Sequence, residues 1–220
     1  MVVVEEGGVK ENKFYVFIAL FLVIVIISAV IFSTREIKPA RVPDSFLDNG
    51  WVENLDERET ASDLFGLEKW CSLTYKIGGA YPANLTVATF KPLIMMDEKG
   101  LLAKAEETIH GASQQGIVVD NSTKANGSRI LVNGHKTYYI TFDGSDTSKT
   151  PYEKIKVVAE VWNCGTSGTS VICIGVAQIT DYAHNVTGFN TSSWRKIVND
   201  KNGLLGFVGN DGLIYNIVCH

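Results

Sequence analysis

Four cysteines, Cys71, Cys164, Cys173 and Cys219, and four histidines, His110, His135, His184 and His220, carry most of the chemistry open to this 220-residue sequence. An even cysteine count fits two disulfides, with three connectivities to choose among. Around Cys164 and Cys173, two β-rich runs flank Gly165-Thr-Ser-Gly-Thr-Ser170, which reads as a hairpin. With Gly168-Thr169 as a two-residue loop, Gly takes the first central position of a type II′ turn and Cys164 faces Cys173. On that register the pair does not exchange ladder hydrogen bonds, and its Cα atoms approach to about 4.5–5.5 Å, within disulfide reach. Cys71 and Cys219 are then left to pair, tying the start of the domain to its end, a loop worth on the order of 4 kcal/mol. The alternatives are four buried thiols, or a zinc site built from Cys219, His220 and the hairpin cysteines. Zinc frameworks usually contain a close Cys-x2–4-Cys pair and none exists here, so the sequence assigns no metal ligand and no cofactor.

Catalytic spacing is equally sparse. There is no His-Glu-x-x-His, no Gly-x-Ser-x-Gly elbow, no phosphate-cradling glycine loop and no Cys-x-x-Cys. His110 reads as a rim residue of a helix, and His135, just after Asn133-Gly134, as a solvent-facing turn residue. Asp143-Gly-Ser-Asp-Thr-Ser148 lacks the alternating ligands of a calcium loop and reads as a solvated turn. A hydrolase would require His135 or His184 to meet Asp143, Asp146 or Asp181 beside a nucleophile, and no catalytic residue is assigned. Tyr138, Tyr139 and Trp162 fall in predicted strands, where neighbours point to opposite faces, and form the candidate binding surface.

The elements that must position these groups follow from periodicity. Trp70–Ile77 and Asn84–Phe90 alternate as strands, with Pro92 turning the second toward an edge or a bend. Asp97–Gln115 reads as a helix capped by Asp97, with an apolar stripe of Leu101, Leu102, Ala105 and Ile109 and a stop at Gly116. Ile117–Val119 is a short strand, and Arg129–Phe142 a hairpin about Asn133-Gly134. After the cysteine hairpin, Ser192–Val198 reads as a short helix and Leu213–Val218 as a closing strand. This order predicts an α+β fold: an antiparallel β-sheet with packed helices.

One segment stands apart. Phe14–Phe32 is 19 residues without a charge, a helix of roughly 28 Å if it spans a bilayer. It exceeds a usual signal-peptide core and lacks an Ala-x-Ala site, which favours an uncleaved anchor. The division that follows is a tail (1–13), a transmembrane helix (14–32) holding membrane lipid, a stalk (33–43) and an α+β domain (44–220). The remaining chain is mildly acidic, with 20 Lys+Arg against 24 Asp+Glu, and carries no basic footprint for nucleic acid. Lys10 and Lys13 precede the span while Arg35, Lys38 and Arg41 follow it, so charge does not orient it. Five sequons, at Asn84, Asn121, Asn126, Asn185 and Asn190, together with the cysteines, place the domain outside the cell.

A helix, a long antiparallel run and a late helix beginning near Trp194 resemble, over roughly residues 70–200, the PsbP/Mog1 type of α/β sandwich. The whole chain is similar to small membrane-anchored archaeal proteins of uncharacterised function. That resemblance implies a binding or envelope-assembly role with an envelope protein as partner, and brings no active site. The competing expectations are an extracytoplasmic hydrolase and a subunit that acts only within a larger membrane complex.

Overall fold

A computed structural model describes residues 37–62, 69–92 and 95–220. The predicted tail and transmembrane segment lie outside the described residues; among those described, no helix is long and apolar enough to cross a membrane.

Eight antiparallel strands form one sheet: β1 (Val52–Glu53), β2 (Glu59–Ser62), β3 (Lys69–Ile77), β4 (Ala83–Lys91), β5 (Ile117–Ile130), β6 (Lys136–Asp146), β7 (Glu153–Cys164) and β8 (Thr169–Gln178). Spatial order is β1-β3-β4-β8-β7-β6-β5, with β2 also on the outer edge of β3. Strands β5 to β8 run as a meander and β3–β4 as a hairpin. The connection from β4 to β5 must therefore cross the sheet, and helix α1 (Glu98–Gly111) makes that crossing.

The helix forms where the sequence predicts it. The Asp97 carboxylate accepts the Gly100 N–H at 2.8 Å, satisfying one orphan donor of the first turn. Leu101, Ala105 and Ile109 are buried at i, i+4, i+8, on one stripe. A 3-10 turn, Ala112–Gln115, then ends at Gly116, whose φ of +92° a side chain would resist.

The sheet has a core on each face. α1 packs on Ile140, Phe142, Ile155, Val157, Ala159, Val161 and Ile172. The opposite face carries Leu73, Tyr75, Leu85, Val87, Val158, Trp162, Val171 and all four cysteines. It is covered by the short helix α2 (Ser192–Val198) and by the last residues of the sequence. Central strand β7, covered on both faces, is therefore buried without alternation from Val157 to Trp162, where Glu160 is the single charged residue.

Three expectations change. The predicted closing strand at Leu213–Val218 is a 3-10 turn, Ile214–Asn216, followed by a single bridge: Arg41 and Val218 exchange two backbone hydrogen bonds of 2.9 Å each. Leu213 and Ile217 are wholly buried under the sheet, so packing rather than pairing consumes their apolar pattern. Of the stalk, residues 37–43 are already domain: Ala40 and Val42 are buried, and their N–H groups donate to Thr89 Oγ1 (2.8 Å) and Tyr75 Oη (3.0 Å). The short strand at Ile117–Val119 continues to Ile130, with a register shift between Asp120 and Ala125 that its polar sequence obscured.

The cysteine hairpin forms, but with a four-residue tip. Cys164 pairs with Thr169 and Cys173 with Glu160. The Gly168 N–H bonds back to the Cys164 carbonyl at 2.9 Å, with Gly168 at φ +64°. The predicted facing of Cys164 and Cys173 is corrected accordingly. The slip is even, so both still share a face, but the partner position of Cys164 lies four residues from Cys173, about 13 Å along the strand. No bridge can span that distance. Cys71 sits opposite Thr89 and does not meet Cys219; all four thiols are unbonded and buried.

Candidate metal centre

At the end of the sheet where β7 finishes, three remote pieces of chain converge. The Asn133-Gly134 turn between β5 and β6 closes through Gly134 N–H to Leu131 C=O (3.0 Å) and Leu131 N–H to His135 C=O (2.9 Å). Gly134 is at φ +86°, the conformation that makes this dipeptide a hairpin signal. The turn is not left in solvent. Val132 N–H donates to Tyr215 C=O at 3.1 Å and the Asn133 amide to Ile217 C=O at 2.9 Å, which lays the turn against the C-terminal segment. His135 is thereby brought, half-buried, beside Cys219, with Nε2 3.2 Å from its Sγ. The expectation of a solvent-facing His135 fails because the turn has a partner 80 residues away in sequence.

Cys164 ends β7 on the same face, and its sulfur lies 2.6 Å from that of Cys219. His220 completes the group, its Nδ1 3.6 Å from each sulfur. One ligand atom from each of His135, Cys164, Cys219 and His220 falls within 4.8 Å of every other. A tetrahedral Zn²⁺ with Zn–S of about 2.3 Å and Zn–N of about 2.0 Å holds its donors roughly 3.3–3.8 Å apart. His220 Nδ1 already stands at that spacing from both sulfurs, at 3.6 Å, and His135 Nε2 is slightly closer to Cys219, at 3.2 Å; a bound ion would part the two sulfurs, now 2.6 Å apart, by about 1 Å. Two thiolates and two imidazoles suit zinc, or another borderline-soft cation, and not Mg²⁺ or Ca²⁺.

Protonation favours ligation. Burial opposes ionisation of Cys164, but hydrogen bonds from Cys219, Ser167 and His220 outweigh it and bring its pKa down. Burial, and the bond it donates to Cys164, push Cys219 up to about 12. The dithiol thus ionises first at Cys164. The buried indole N–H of Trp162, which has no hydrogen-bond partner, works to lower the Cys219 pKa, a donor ready for a thiolate. Burial and the neighbouring His220 lower the His135 pKa, keeping that imidazole neutral and able to bind a metal. Burial raises the pKa of Cys71 and Cys173, which remain thiols in the core.

Four residues before Cys164 on the same face of β7, Glu160 anchors a buried ion network. The Arg129 guanidinium donates to Glu160 (2.6 Å from Nη2) and to Asp200 Oδ2 and the Val198 carbonyl (3.1 and 2.6 Å from Nη1), while the Thr137 hydroxyl donates to Glu160. It joins β5, β6, β7 and the end of α2, the elements that carry His135 and Cys164.

The remaining candidates do not assemble. Trp162 and Tyr139 are buried, at 0% and 8% exposure, and offer no binding surface; Tyr139 lies over Gly127, whose missing Cβ leaves room for its ring. Tyr138 is half-buried in a groove beside α1, with the Lys136 ammonium 5.2 Å above its ring. His184 does meet Asp181, at 2.7 Å, but among the described residues no hydroxyl or thiol is hydrogen-bonded to its ring. His110 is exposed beside Glu106. Asn84, Asn121, Asn126 and Asn185 are exposed, and Asn190 is half-buried with its side-chain oxygen accepting the Ser192 N–H. A cavity of about 490 Å³ opens at the opposite end of β7 and β8, among Lys76, Asp146, Lys149 and Gln178.

The zinc alternative weighed from sequence, Cys219 and His220 with the hairpin cysteines, contains three of these four donors; of the hairpin pair, Cys164 joins the cluster and Cys173 does not. His135 was invisible because its only local signal, the Asn-Gly turn, argues for exposure. No family model, no curated protein and no solved structure matches this chain.

Proposed function

We propose that this chain is a membrane-anchored, non-catalytic metal-binding protein, tethered through residues 14–32, whose domain holds one zinc-like cation between His135, Cys164, Cys219 and His220. The observation that carries the reading is the convergence of four chemically matched donors, from three chain segments, with one ligand atom of each within 4.8 Å of every other. The anchor rests on the uncharged 19-residue run, and the outward orientation on the five sequons. In an oxidising space a bound ion would also shield the paired sulfurs, since thiolates held by zinc are poor partners for exchange.

The test is metal content per chain in full-length protein purified in detergent without chelator. One equivalent is expected in the wild type and in the Cys71→Ser and Cys173→Ser variants, and none in Cys164→Ser or Cys219→Ser. Wild-type protein without metal, in which peptide mapping recovers Cys164 and Cys219 as a disulfide, would replace this reading with a redox staple.

A further inference from the structure

The four donors are not held alike. Cys164 is fixed by the β7–β8 ladder, and its side chain is inaccessible to solvent. Cys219 is buried to 1% exposure and follows Val218, whose N–H and C=O are both bonded to Arg41. His135 is locked by the turn, its N–H accepted by Asn133 Oδ1 at 3.2 Å and its C=O taken by Leu131. His220 is exposed, and among the described residues its backbone makes no hydrogen bond. Among the described residues, the hydrogen-bond partners of its ring are the two sulfurs, and the ring meets His135 edge-on, with ring centres 5.9 Å apart at 85°. A ligating histidine that is meant to stay normally anchors its second ring nitrogen on a carboxylate or carbonyl, which fixes ring orientation and raises affinity. Among the described residues, His220 has no such partner.

We infer that the centre is a three-ligand Cys2His site whose fourth position, filled by His220, is exchangeable and opens the ion to an external imidazole or thiolate donor. This rests on the metal-binding reading above. A closed structural zinc has four equally built ligands, whereas sites that do something with their ion keep one position open. A buried three-donor cup with a solvent-side fourth ligand suits acceptance and release of an ion better than permanent bracing. Displacement breaks one metal–nitrogen bond and forms one metal–donor bond, with no change of oxidation state.

The experiment uses full-length protein loaded with Co²⁺ alone, whose visible spectrum reports both thiolate ligation and coordination number. Wild type is expected to show thiolate-to-Co²⁺ charge transfer and a tetrahedral ligand-field band. The His220→Ala variant should keep the charge-transfer band and lose only roughly 10–100-fold in affinity, the scale of an outer contact. Added imidazole should restore its tetrahedral band. Cys164→Ser and Cys219→Ser should lose the charge-transfer signal, with or without imidazole. If His220→Ala abolishes binding as completely as Cys219→Ser, or imidazole leaves its spectrum unchanged, the exchangeable position is refuted while metal binding stands. Wild-type protein with no thiolate band refutes the metal reading itself. Because His220 is exposed, unchanged far-UV circular dichroism of its variant checks that the fold is intact.

Discussion

At the scale of single residues, the molecule gathers its buried polar groups into clusters. One is the metal centre; another is the Arg129–Glu160–Asp200 network, with side chains at 1%, 0% and 2% exposure. Removing one partner of a buried ion pair strands the other, a cost of about 3–5 kcal/mol. Arg129→Met is therefore expected to lower the denaturation midpoint sharply, while Glu160→Gln, which keeps an acceptor for Thr137 and Arg129, should cost less; urea unfolding followed by tryptophan fluorescence compares them. If both are neutral, the network does not stabilise the fold. Glu153 is another buried carboxylate, outside that network. Burial works against its ionisation, but bonds from the Thr180 hydroxyl and the Ala183 N–H outweigh it and hold its pKa below the usual 4.5. A carboxylate depressed on folding contributes stability above its unfolded pKa and loses it as pH falls through the folded one. Stability should therefore decline as pH drops below about 4.5, and Glu153→Gln should be less stable at pH 7 and show a flatter acid limb in thermal melts at pH 3–7. None of these partners was legible in the sequence, since ion pairs 31 and 71 residues apart leave no local spacing to read.

Elements were read better than their contacts. Both helices and most strands have local causes: the Asp97 cap and 3.6-residue stripe for α1, the Asn133-Gly134 turn for β5–β6, and alternation for β3 and β4. The failures came where long-range packing overrode local pattern. The hairpin closes through a four-residue tip, Gly165–Gly168, with Cys164 paired to Thr169, in place of the expected two-residue Gly168-Thr169 loop. That choice moved Cys164 away from Cys173 and toward Cys219. Asp97→Ala should cost about 1 kcal/mol by loss of the cap. Gly175, on β8 beneath α2, is more demanding. A Cβ there would lie 2.8 Å from Ile197 Cγ2 and 3.0 Å from Val158 Cγ1. Gly175→Ala is thus expected to destabilise by roughly 1–3 kcal/mol through overpacking between helix and sheet. A thermal melt showing no loss would mean that α2 can lift without cost.

For the whole molecule, the centre closes a circuit. The chain enters at Ala40–Val42 paired beside Val218, and Cys219 and His220 bind across to the β5–β6 turn and the end of β7. An ion there fastens both ends of the domain to the middle of the sheet. Binding only to the folded state adds about 2.7 kcal/mol at 100 times Kd. A zinc-selective chelator should therefore lower the melting temperature of wild type and leave Cys219→Ser unmoved. The fold class could be read from sequence because it follows from element order, whereas this circuit could not, because its four ligands come from three segments. The most direct test is X-ray absorption at the zinc edge of the full-length protein. Two sulfurs at about 2.3 Å and two nitrogens near 2.0 Å are expected. A shell of oxygen and nitrogen without sulfur would contradict the account.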